Sequence, residues 1–266
     1  MENDKELIAD VHDCIGTITL CRPAQRNALT PGMLIDLHQT LSAWADSGDV
    51  RVVVIHGAGD KAFSAGYDIR SIPTNPTPEM EKLMRESNPL ELGLRAIKNF
   101  PYPVIARIHG SCFGGALNLA MCCDIRIGAD DVAIGMPPAK LGLVYPAEGV
   151  AQFVAVVGLA KAREMFLTGR TYRGAEAAEM RLVDRLVPRA ELESTVAAMA
   201  AEIADNAPMA LRGLKRVLNL LELASPLGAE AAAEVQGLVA ASFASADAME
   251  GQMAFIEKRK PQFAGR

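Results

Sequence analysis

The sequence predicts an α/β fold, and three observations lead to this prediction. Short runs rich in Val, Ile and Thr alternate with helix-length segments, which is typical of strands covered by helices on both faces. Two of these runs lead into glycine-containing turns that precede a helical pattern. From about Ala200 onward the strand-like runs stop and the chain becomes rich in alanine, which favours helices.

The predicted strands are the apolar, β-branched runs of the first half of the chain. These runs are GTITL at 16–20, VRVVVIHG at 50–57, PVIARIHG at 103–110 and CDIRIGA at 123–129. The segment 72–90 contains four prolines among many polar residues, so we expect a surface excursion with one short helix. These patterns divide the chain into a core at 1–199 and a helical region at 200–266.

Composition and charge limit the classes of function. A chain of 266 residues with 50% hydrophobic residues can bury a substantial core. The net charge of −5 makes nucleic acid an unlikely main partner, because phosphate binding relies on a basic surface, and favours a small molecule. The amino-terminal residues MENDKELIAD are charged where a secretory signal would be apolar, and the longest apolar stretch, at 150–160, is too short to span a bilayer. We expect a cytoplasmic protein with no membrane segment.

The five cysteines and four histidines form no metal-binding pattern. The cysteines include no CxxC pair, so we interpret them as reduced core residues. The sequence also contains no P-loop and no cluster of metal ligands. We therefore expect neither a metal nor a bound nucleotide cofactor.

Two glycine-containing turns are the first candidates for a functional site. The stretch FSAGYDI, beginning at Phe63, joins an apolar run to a segment that could begin a helix, and HGSCFGGALNL, beginning at His109, places Gly114 and Gly115 before a helical run. Glycine lets the backbone approach a ligand closely, and a helix amino terminus favours negative charge. The N–H groups of Tyr67 and Gly115 are therefore predicted to form an oxyanion hole.

The chain resembles the crotonase superfamily, the enoyl-CoA hydratase/isomerase family, over nearly its whole length. The matching stretches are CRPAQRNAL, AFSAGYDI, HGSCFGGALNLAMCCDIRI, MPPAKLGLVYP and EGQMAFIEKRKPQF, in the order of the family. The resemblance implies a ClpP/crotonase-like spiral of ββα units, followed by a helical trimerisation region. It also implies an acyl-CoA thioester as substrate, an enolate oxygen held by two backbone N–H groups, and a homotrimer or dimer of trimers. Coenzyme A then arrives as part of the substrate, and no separate cofactor is expected.

The chain departs from the hydratases of this family at two positions. Hydratases use two glutamates to position and activate water, and the first follows the glycine turn by three residues, where this chain has Asn118. The second belongs to a Pro-Glu pair, which here is Pro137-Pro138. Because neither an amide nor a proline exchanges protons at neutral pH, hydration by these positions is not expected.

Decarboxylation of a malonyl-type thioester needs an oxyanion hole but no carboxylate base. Loss of CO₂ itself generates the enolate, which the two N–H groups would stabilise. The pattern is most similar to the methylmalonyl-CoA decarboxylase branch in FSAG-x-DI, GGA, LG-x-x-Y and EKRKP-x-F. Tyr145 falls on the site tyrosine of that branch, whereas Tyr67 replaces a histidine. Tyr145 and Asn118 are therefore candidate catalytic residues beside Tyr67 and Gly115.

The resemblance places the substrate-binding residues in several segments of the chain. These candidates are Arg26, Ala28, Ala65, Asp68, Arg70, Gly114, Pro138, Phe255 and Lys258. Arg26 and Ala28 correspond to positions near the nucleotide, and Ala65 to one beside the thioester. Phe255 and Lys258 correspond to residues that reach the CoA of a neighbouring subunit. Arginine and lysine suit the CoA phosphates.

Other interpretations stay open at the level of sequence. Each glycine turn is also typical of a tight strand–helix connection, and Asp68 is typical of a helix N-cap. A second functional hypothesis is a hydratase or isomerase whose acid lies outside the usual positions. A third is a catalytically silent acyl-CoA-binding or RNA-binding homologue, and the acidic net charge weakens its RNA-binding form.

Overall fold

The computed structural model describes residues 5–68, 88–141 and 145–223, with single positions between 230 and 264. Most of the predicted excursion at 72–90 lies outside these residues, as does most of the helical region after residue 223.

The larger sheet contains six strands. Their bounds are β1 Leu7–His12, β2 Ile15–Leu20, β3 Val52–Gly57, β5 Val104–Ile108, β7 Ile125–Ala129 and β10 Arg185–Val187. They lie in the order β1-β2-β3-β5-β7-β10, with β1 antiparallel to β2 and every other pair parallel. Most of this sheet is thus built from parallel strands, as the continuous apolar runs predict.

The smaller sheet contains four short strands. Their bounds are β4 Ala62–Ser64, β6 Ser111–Phe113, β8 Ala133–Gly135 and β9 Thr171–Arg173, and they lie in the order β4-β6-β8-β9. The consecutive pairs β3/β4, β5/β6 and β7/β8 each place the first strand in the larger sheet and the second in the smaller one. This repeated change of sheet, followed by helical chain, is the predicted spiral of ββα units, and the fold prediction is confirmed.

Helices pack around the two sheets. Their bounds are α1 Pro31–Ser47, α2 Pro89–Asn99, α3 Gly115–Cys122, α4 Ala147–Val157, α5 Leu159–Thr168, α6 Gly174–Glu179, α7 Leu192–Ala204 and α8 Pro208–Leu223. The Thr30 hydroxyl accepts a hydrogen bond from the Met33 N–H at 3.0 Å, which caps α1, and Asn88 caps α2 in a similar way. Proline at the first position of both helices supports these starts.

Strand β3 is buried on both faces. Its residues Val53 and Ile55 belong to the main core, whereas Val52 and Val54 belong to a second cluster under α7. Successive side chains of a strand point to opposite faces, so a strand that is covered twice needs a continuous apolar run. The run at 50–57 meets that need.

Helix α7 continues across the predicted boundary between residues 199 and 200. It packs on the larger sheet through side chains spaced along one face, namely Leu192, Val196, Ala200 and Ala204. This helix therefore spans the predicted division at 200 and packs on the core. The division itself stays a prediction, because most of residues 200–266 lie outside the described part of the chain.

Helix α8 is attached to the core by a buried lysine. The Lys215 ammonium donates to the Asp124 carboxylate at 2.7 Å and to the Tyr102 carbonyl at 2.9 Å. The same Asp124 oxygen accepts from the Val104 N–H at 2.7 Å. With its side chain only 5% exposed, Lys215 is a buried charge whose hydrogen bonds are made inside the protein.

The buried side chain of His109, unlike that of Lys215, lacks a hydrogen-bond partner for one of its nitrogen atoms. His109 follows β5 and is 4% exposed, and its Nε2 atom has no hydrogen-bond partner in the described part of the chain. Burial, together with the positive charges of Arg189 and Arg107, lowers the pKa of His109 to about 4. The ring is therefore neutral at pH 7.

The sequence prediction located four of the strands and missed the others. The runs at 16–20, 50–57, 103–110 and 123–129 contain β2, β3, β5 and β7. Strand β1 was missed because most of its residues are exposed, and the strands of the smaller sheet are only three residues long. A three-residue strand is too short to show a periodic pattern.

Candidate active site

The first turn is held against the segment that precedes α1. The Leu29 N–H donates to the Gly66 carbonyl, and the Asp68 N–H donates to the Leu29 carbonyl, both at 2.8 Å. These two bonds form a parallel bridge between Leu29 and Tyr67. Because neighbouring N–H groups alternate in direction along an extended chain, the N–H of Tyr67 points away from Leu29.

The second turn lies against the first. Gly114 has φ of +54° and donates to the Gly135 carbonyl at 3.0 Å, and α3 begins at Gly115. A Cβ atom placed on Gly115 would lie 3.4 Å from the Tyr67 nitrogen, and one on Gly66 would lie 2.6 Å from the Phe113 carbonyl oxygen. Gly66 must lack a side chain for the two backbones to approach this closely, whereas a Cβ on Gly115 would make only ordinary contacts. The backbone nitrogen of Tyr67 consequently lies beside Gly115.

Asn118 lies one turn along α3 and is 1% exposed. Its Oδ1 atom accepts from the Tyr145 hydroxyl at 2.8 Å, and its Nδ2 donates to the Gln152 side-chain oxygen on α4. The Cys122 thiol donates to the same Gln152 oxygen at 3.1 Å. Burial, followed by the neighbouring Cys122, raises the pKa of Tyr145, so its hydroxyl keeps its proton at neutral pH.

A small cavity of about 50 Å³ lies beside these side chains. Asn118, Tyr145 and Gln152 line one wall, and Leu90 and Leu94 of α2 line another. Leu90 also approaches the second turn, since its Cδ1 atom would lie 3.5 Å from a Cβ on Gly115. The Leu90 wall of the cavity therefore lies next to the second turn.

Three charged side chains also line this cavity. Glu91 and Arg95 on α2 form an ion pair at 3.4 Å, and Glu148 lies in the first turn of α4. The sequence analysis missed all three, and it missed Gln152. The stretch PAEGVAQ carries the available signal, because it places Glu148 and Gln152 four residues apart on one helical face just after Tyr145.

Comparisons with known proteins agree with this architecture. The sequence profile of the Enoyl-CoA hydratase/isomerase family matches residues 10–266. The chain belongs to the enoyl-CoA hydratase/isomerase family. It is 35% identical to a probable enoyl-CoA hydratase of Bacillus subtilis over 257 residues, which cover 96% of this chain and 97% of that protein. It is 33% identical to the carnitinyl-CoA dehydratase of Escherichia coli K12, with 94% of each chain covered.

A solved structure of the same family superposes closely. The enoyl-CoA hydratase/carnithine racemase of Magnetospirillum magneticum has a TM-score of 0.91 and 35% sequence identity, covering 98% of this chain and 96% of that one. The fold and the broad assignment to the crotonase superfamily therefore stand on both sequence and structure. These relatives do not single out the methylmalonyl-CoA decarboxylase branch.

The positions at which hydratases of the family carry glutamate hold no carboxylate here. Asn118 is engaged in the network with Tyr145 and Gln152. Pro138 is buried and begins a short 3₁₀ turn at Pro138–Leu141. Asp68 is also buried, and its carboxylate pairs with Arg22 at 3.3 Å. The helix that Asp68 was predicted to cap would lie in residues 69–87, outside the described part of the chain.

The candidate CoA-binding residues fall into two groups. Arg26 is exposed and lines a second cavity of about 280 Å³, together with Lys61 and Asn27. Ala65 is exposed beside the first turn, and its N–H donates to the Arg26 carbonyl at 2.8 Å. Ala28 is half-buried between these two sites. The other group, Arg70, Phe255 and Lys258, lies outside the described residues.

The described residues offer no sign of a membrane helix or a metal centre. None of their helices is long and apolar enough to cross a bilayer. Within the same residues, no three His, Cys, Asp or Glu side chains are grouped as ligands for a metal ion.

Proposed function

We propose that this chain binds an acyl-CoA thioester and stabilises its enolate oxygen between the N–H groups of Tyr67 and Gly115. The observation that carries the proposal is the contact between the two turns, with the Tyr67 nitrogen 3.4 Å from the Cβ position of Gly115. In the described part of the chain no acceptor pairs with either N–H group. Gly115 also begins α3, where the helix dipole favours negative charge. Two such donors stabilise charge that develops on a carbonyl oxygen.

The reaction that we propose is decarboxylation of a malonyl-type thioester, such as methylmalonyl-CoA. The bond between the α-carbon and the carboxylate carbon breaks, CO₂ leaves, and the electron pair forms the enolate whose oxygen the two N–H groups hold. The α-carbon then takes a proton. Asn118 and Pro138 support this reaction, because they replace the carboxylates that hydration needs and decarboxylation does not.

The surroundings of the cavity suit the departing carboxylate. Tyr145 and Asn118 are neutral and carry hydrogen-bonding groups, and Arg95, which pairs with Glu91, lies on the opposite wall. Holding the carboxylate perpendicular to the thioester plane aligns the breaking bond with the carbonyl π system. We propose this orienting role for Tyr145 and Asn118.

The CoA portion of the substrate is proposed to lie near Arg26 and Ala28, with the thioester beside Ala65 and Gly114. Arg70, Asp68 and Pro138 complete the contacts within one chain. Phe255 and Lys258 are proposed to reach the CoA of a neighbouring subunit in a homotrimer or a dimer of trimers. Guanidinium and ammonium groups bind phosphate oxygens through charge-assisted hydrogen bonds.

The experiment is a turnover comparison with purified protein. Malonyl-CoA and methylmalonyl-CoA are assayed for CO₂ release, and crotonyl-CoA is assayed for hydration. Rapid CO₂ release with negligible hydration supports the proposal. The variant Asn118→Glu is expected to release CO₂ more slowly and to gain no hydration, because it places a charge beside the substrate carboxylate and supplies only one of two carboxylates. Efficient hydration of crotonyl-CoA by the unmodified protein would overturn the decarboxylase assignment.

A hydratase or isomerase reaction is the second candidate. The observation that favours it is the position of Glu148, a carboxylate that lines the cavity outside the two usual positions. Such an enzyme would use the same pair of N–H groups but would need a group that moves protons.

A further inference from the structure

Glu148 lines the same cavity as Tyr145 and Asn118. It lies in the first turn of α4 with its side chain exposed, and no hydrogen bond or ion pair engages its carboxylate in the described part of the chain. The other carboxylate of the same cavity, Glu91, is held by Arg95 at 3.4 Å. Glu148 therefore stands out as the uncommitted acid of this cavity.

Helix α4 presents Glu148 to the cavity. Residues four apart lie on one helical face, and Gln152 of that face accepts a hydrogen bond from Asn118. Gly149 lies against the same wall, since a Cβ there would lie 2.9 Å from Asn118 Oδ1 and 2.4 Å from Tyr145 Cε1. The first turn of α4 is thus packed on the Tyr145–Asn118 pair, with Glu148 at the edge of the pair.

The opposite side of the cavity lies next to the second turn. Leu90 lines the cavity and approaches the Cβ position of Gly115 to 3.5 Å. An acyl group whose carbonyl oxygen is bound by those N–H groups would extend into this cavity. Its α-carbon would then lie between the N–H groups and the first turn of α4.

We infer that Glu148 is the carboxylate that transfers protons at the α-carbon of the bound acyl group. A Glu148 oxygen takes the α-proton, the electron pair of the C–H bond forms the enolate double bond, and the carbonyl π pair moves to the oxygen held by Tyr67 and Gly115. The reverse step returns a proton from the Glu148 carboxyl group to the α-carbon. The inference rests on the proposed stabilisation of an enolate but not on decarboxylation.

This role adds an activity that loss of CO₂ does not require. An acyl-CoA that has no carboxylate to lose, such as propionyl-CoA, should exchange its α-hydrogens with solvent at this site. In decarboxylation, by contrast, Glu148 acts only after the C–C bond has broken, so CO₂ release should depend on it weakly. Exchange should therefore depend on both Glu148 and the N–H pair, whereas CO₂ release should depend mainly on the N–H pair.

The test measures deuterium incorporation into propionyl-CoA in D₂O by mass spectrometry, beside CO₂ release from methylmalonyl-CoA. We expect Glu148→Gln to slow exchange by about 10²-fold or more, which is the usual contribution of a positioned acid or base. Its CO₂ release should fall much less than its exchange, because the C–C bond breaks before Glu148 acts. Glu148→Asp, which keeps a carboxylate, should restore part of the exchange. Gly115→Pro should lower both reactions.

Glu91→Gln is the matched control, because it removes the same charge from the same cavity. It should exchange far faster than Glu148→Gln. Exchange by folded Glu148→Gln near the rate of the unmodified protein would overturn the inference, as would an unmodified protein that releases CO₂ without exchange. Exchange that Glu148→Gln abolishes, in a protein that releases no CO₂, supports the inference and removes only the decarboxylase assignment. Gly115→Pro with both reactions intact would instead remove the proposed N–H pair.

Discussion

The polar groups at the two ends of α3 differ in their hydrogen bonding. Beyond its carboxyl end, Asp124 accepts hydrogen bonds from Lys215 and from the Val104 N–H, both at 2.7 Å. At its amino end, the N–H groups of Gly115 and Tyr67 have no acceptor among the described residues. A buried group that is fully bonded stabilises the fold, whereas a group left open costs stability until a ligand binds it. This difference supports the proposal that the amino end of α3, with its unpaired N–H groups, binds the substrate.

Removal of Lys215, whose partner Asp124 lies beyond the carboxyl end of α3, is expected to have the largest effect on stability. Lys215→Met leaves the Asp124 carboxylate and the Tyr102 carbonyl without their partner, so the free energy of unfolding should fall by about 3 kcal/mol or more. Denaturant unfolding measures the loss. The exposed Arg163 provides a control, since Arg163→Met should change the value by about 0.5 kcal/mol or less. Equal losses in the two variants would contradict the structural role of Lys215.

Removal of the Gly115 N–H group, at the amino end of α3, should affect turnover instead of stability. Gly115→Pro deletes one N–H group while keeping a residue that suits the first position of a helix. Turnover that depends on an enolate should fall by about 10²–10³-fold, with the unfolding midpoint little changed. Steady-state kinetics and thermal unfolding of the same preparation check both halves of this expectation. Normal kinetics in the folded variant would remove Gly115 from the site.

The buried His109 side chain, whose Nε2 atom has no partner in the described part of the chain, should make stability depend on pH. Its pKa is lowered to about 4, so the unfolded chain binds a proton between pH 6.5 and 4 that the folded protein does not. Stability that is fully present above pH 6.5 should therefore fall by about 2–3 kcal/mol as the pH approaches 4. His109→Asn should flatten this slope when unfolding is followed across that pH range. An unchanged slope would assign the acid sensitivity to other groups.

Tyr145→Phe should give the smallest effect. The change removes one hydroxyl and its hydrogen bond to Asn118, which is worth about 1 kcal/mol, so CO₂ release should fall about fivefold. The ring keeps its contact with Phe166, and the affinity for CoA should remain nearly intact. Isothermal titration with CoA beside the CO₂ assay separates the two quantities. A matched loss of CoA affinity would show that the hydroxyl acts in binding.

The sequence predicted those parts of the fold that carry a long apolar signal. Strands such as β3 are buried on both faces and therefore leave a continuous run. The three-residue strands of the smaller sheet leave no such run, because their pairing is fixed by neighbours that come from distant parts of the chain. The packing of α7 on the larger sheet left no such signal either, since its alanine-rich composition is also typical of a separate helical region.

Only part of the candidate site could be predicted from the sequence. The two turns could be predicted, because glycine between an apolar run and a helical pattern indicates a place where the backbone turns tightly or approaches another group closely. Glu148 could not, since a glutamate in the first turn of a helix is ordinary and stabilises the helix dipole. Its proximity to Asn118 depends on the packing of α4 on α3, and no local pattern encodes that packing.

The contact between Gly66 and the second turn affects how this site can change during evolution. Both proposed donors are main-chain atoms, and the close approach of their two turns depends on the missing Cβ of Gly66. Substitutions at Asn118, Pro138, Tyr145 or Glu148 would alter the chemistry of the proposed site without removing either donor. One scaffold can thus acquire a new reaction through single side-chain replacements, while the proposed pair of donors is inherited with the backbone.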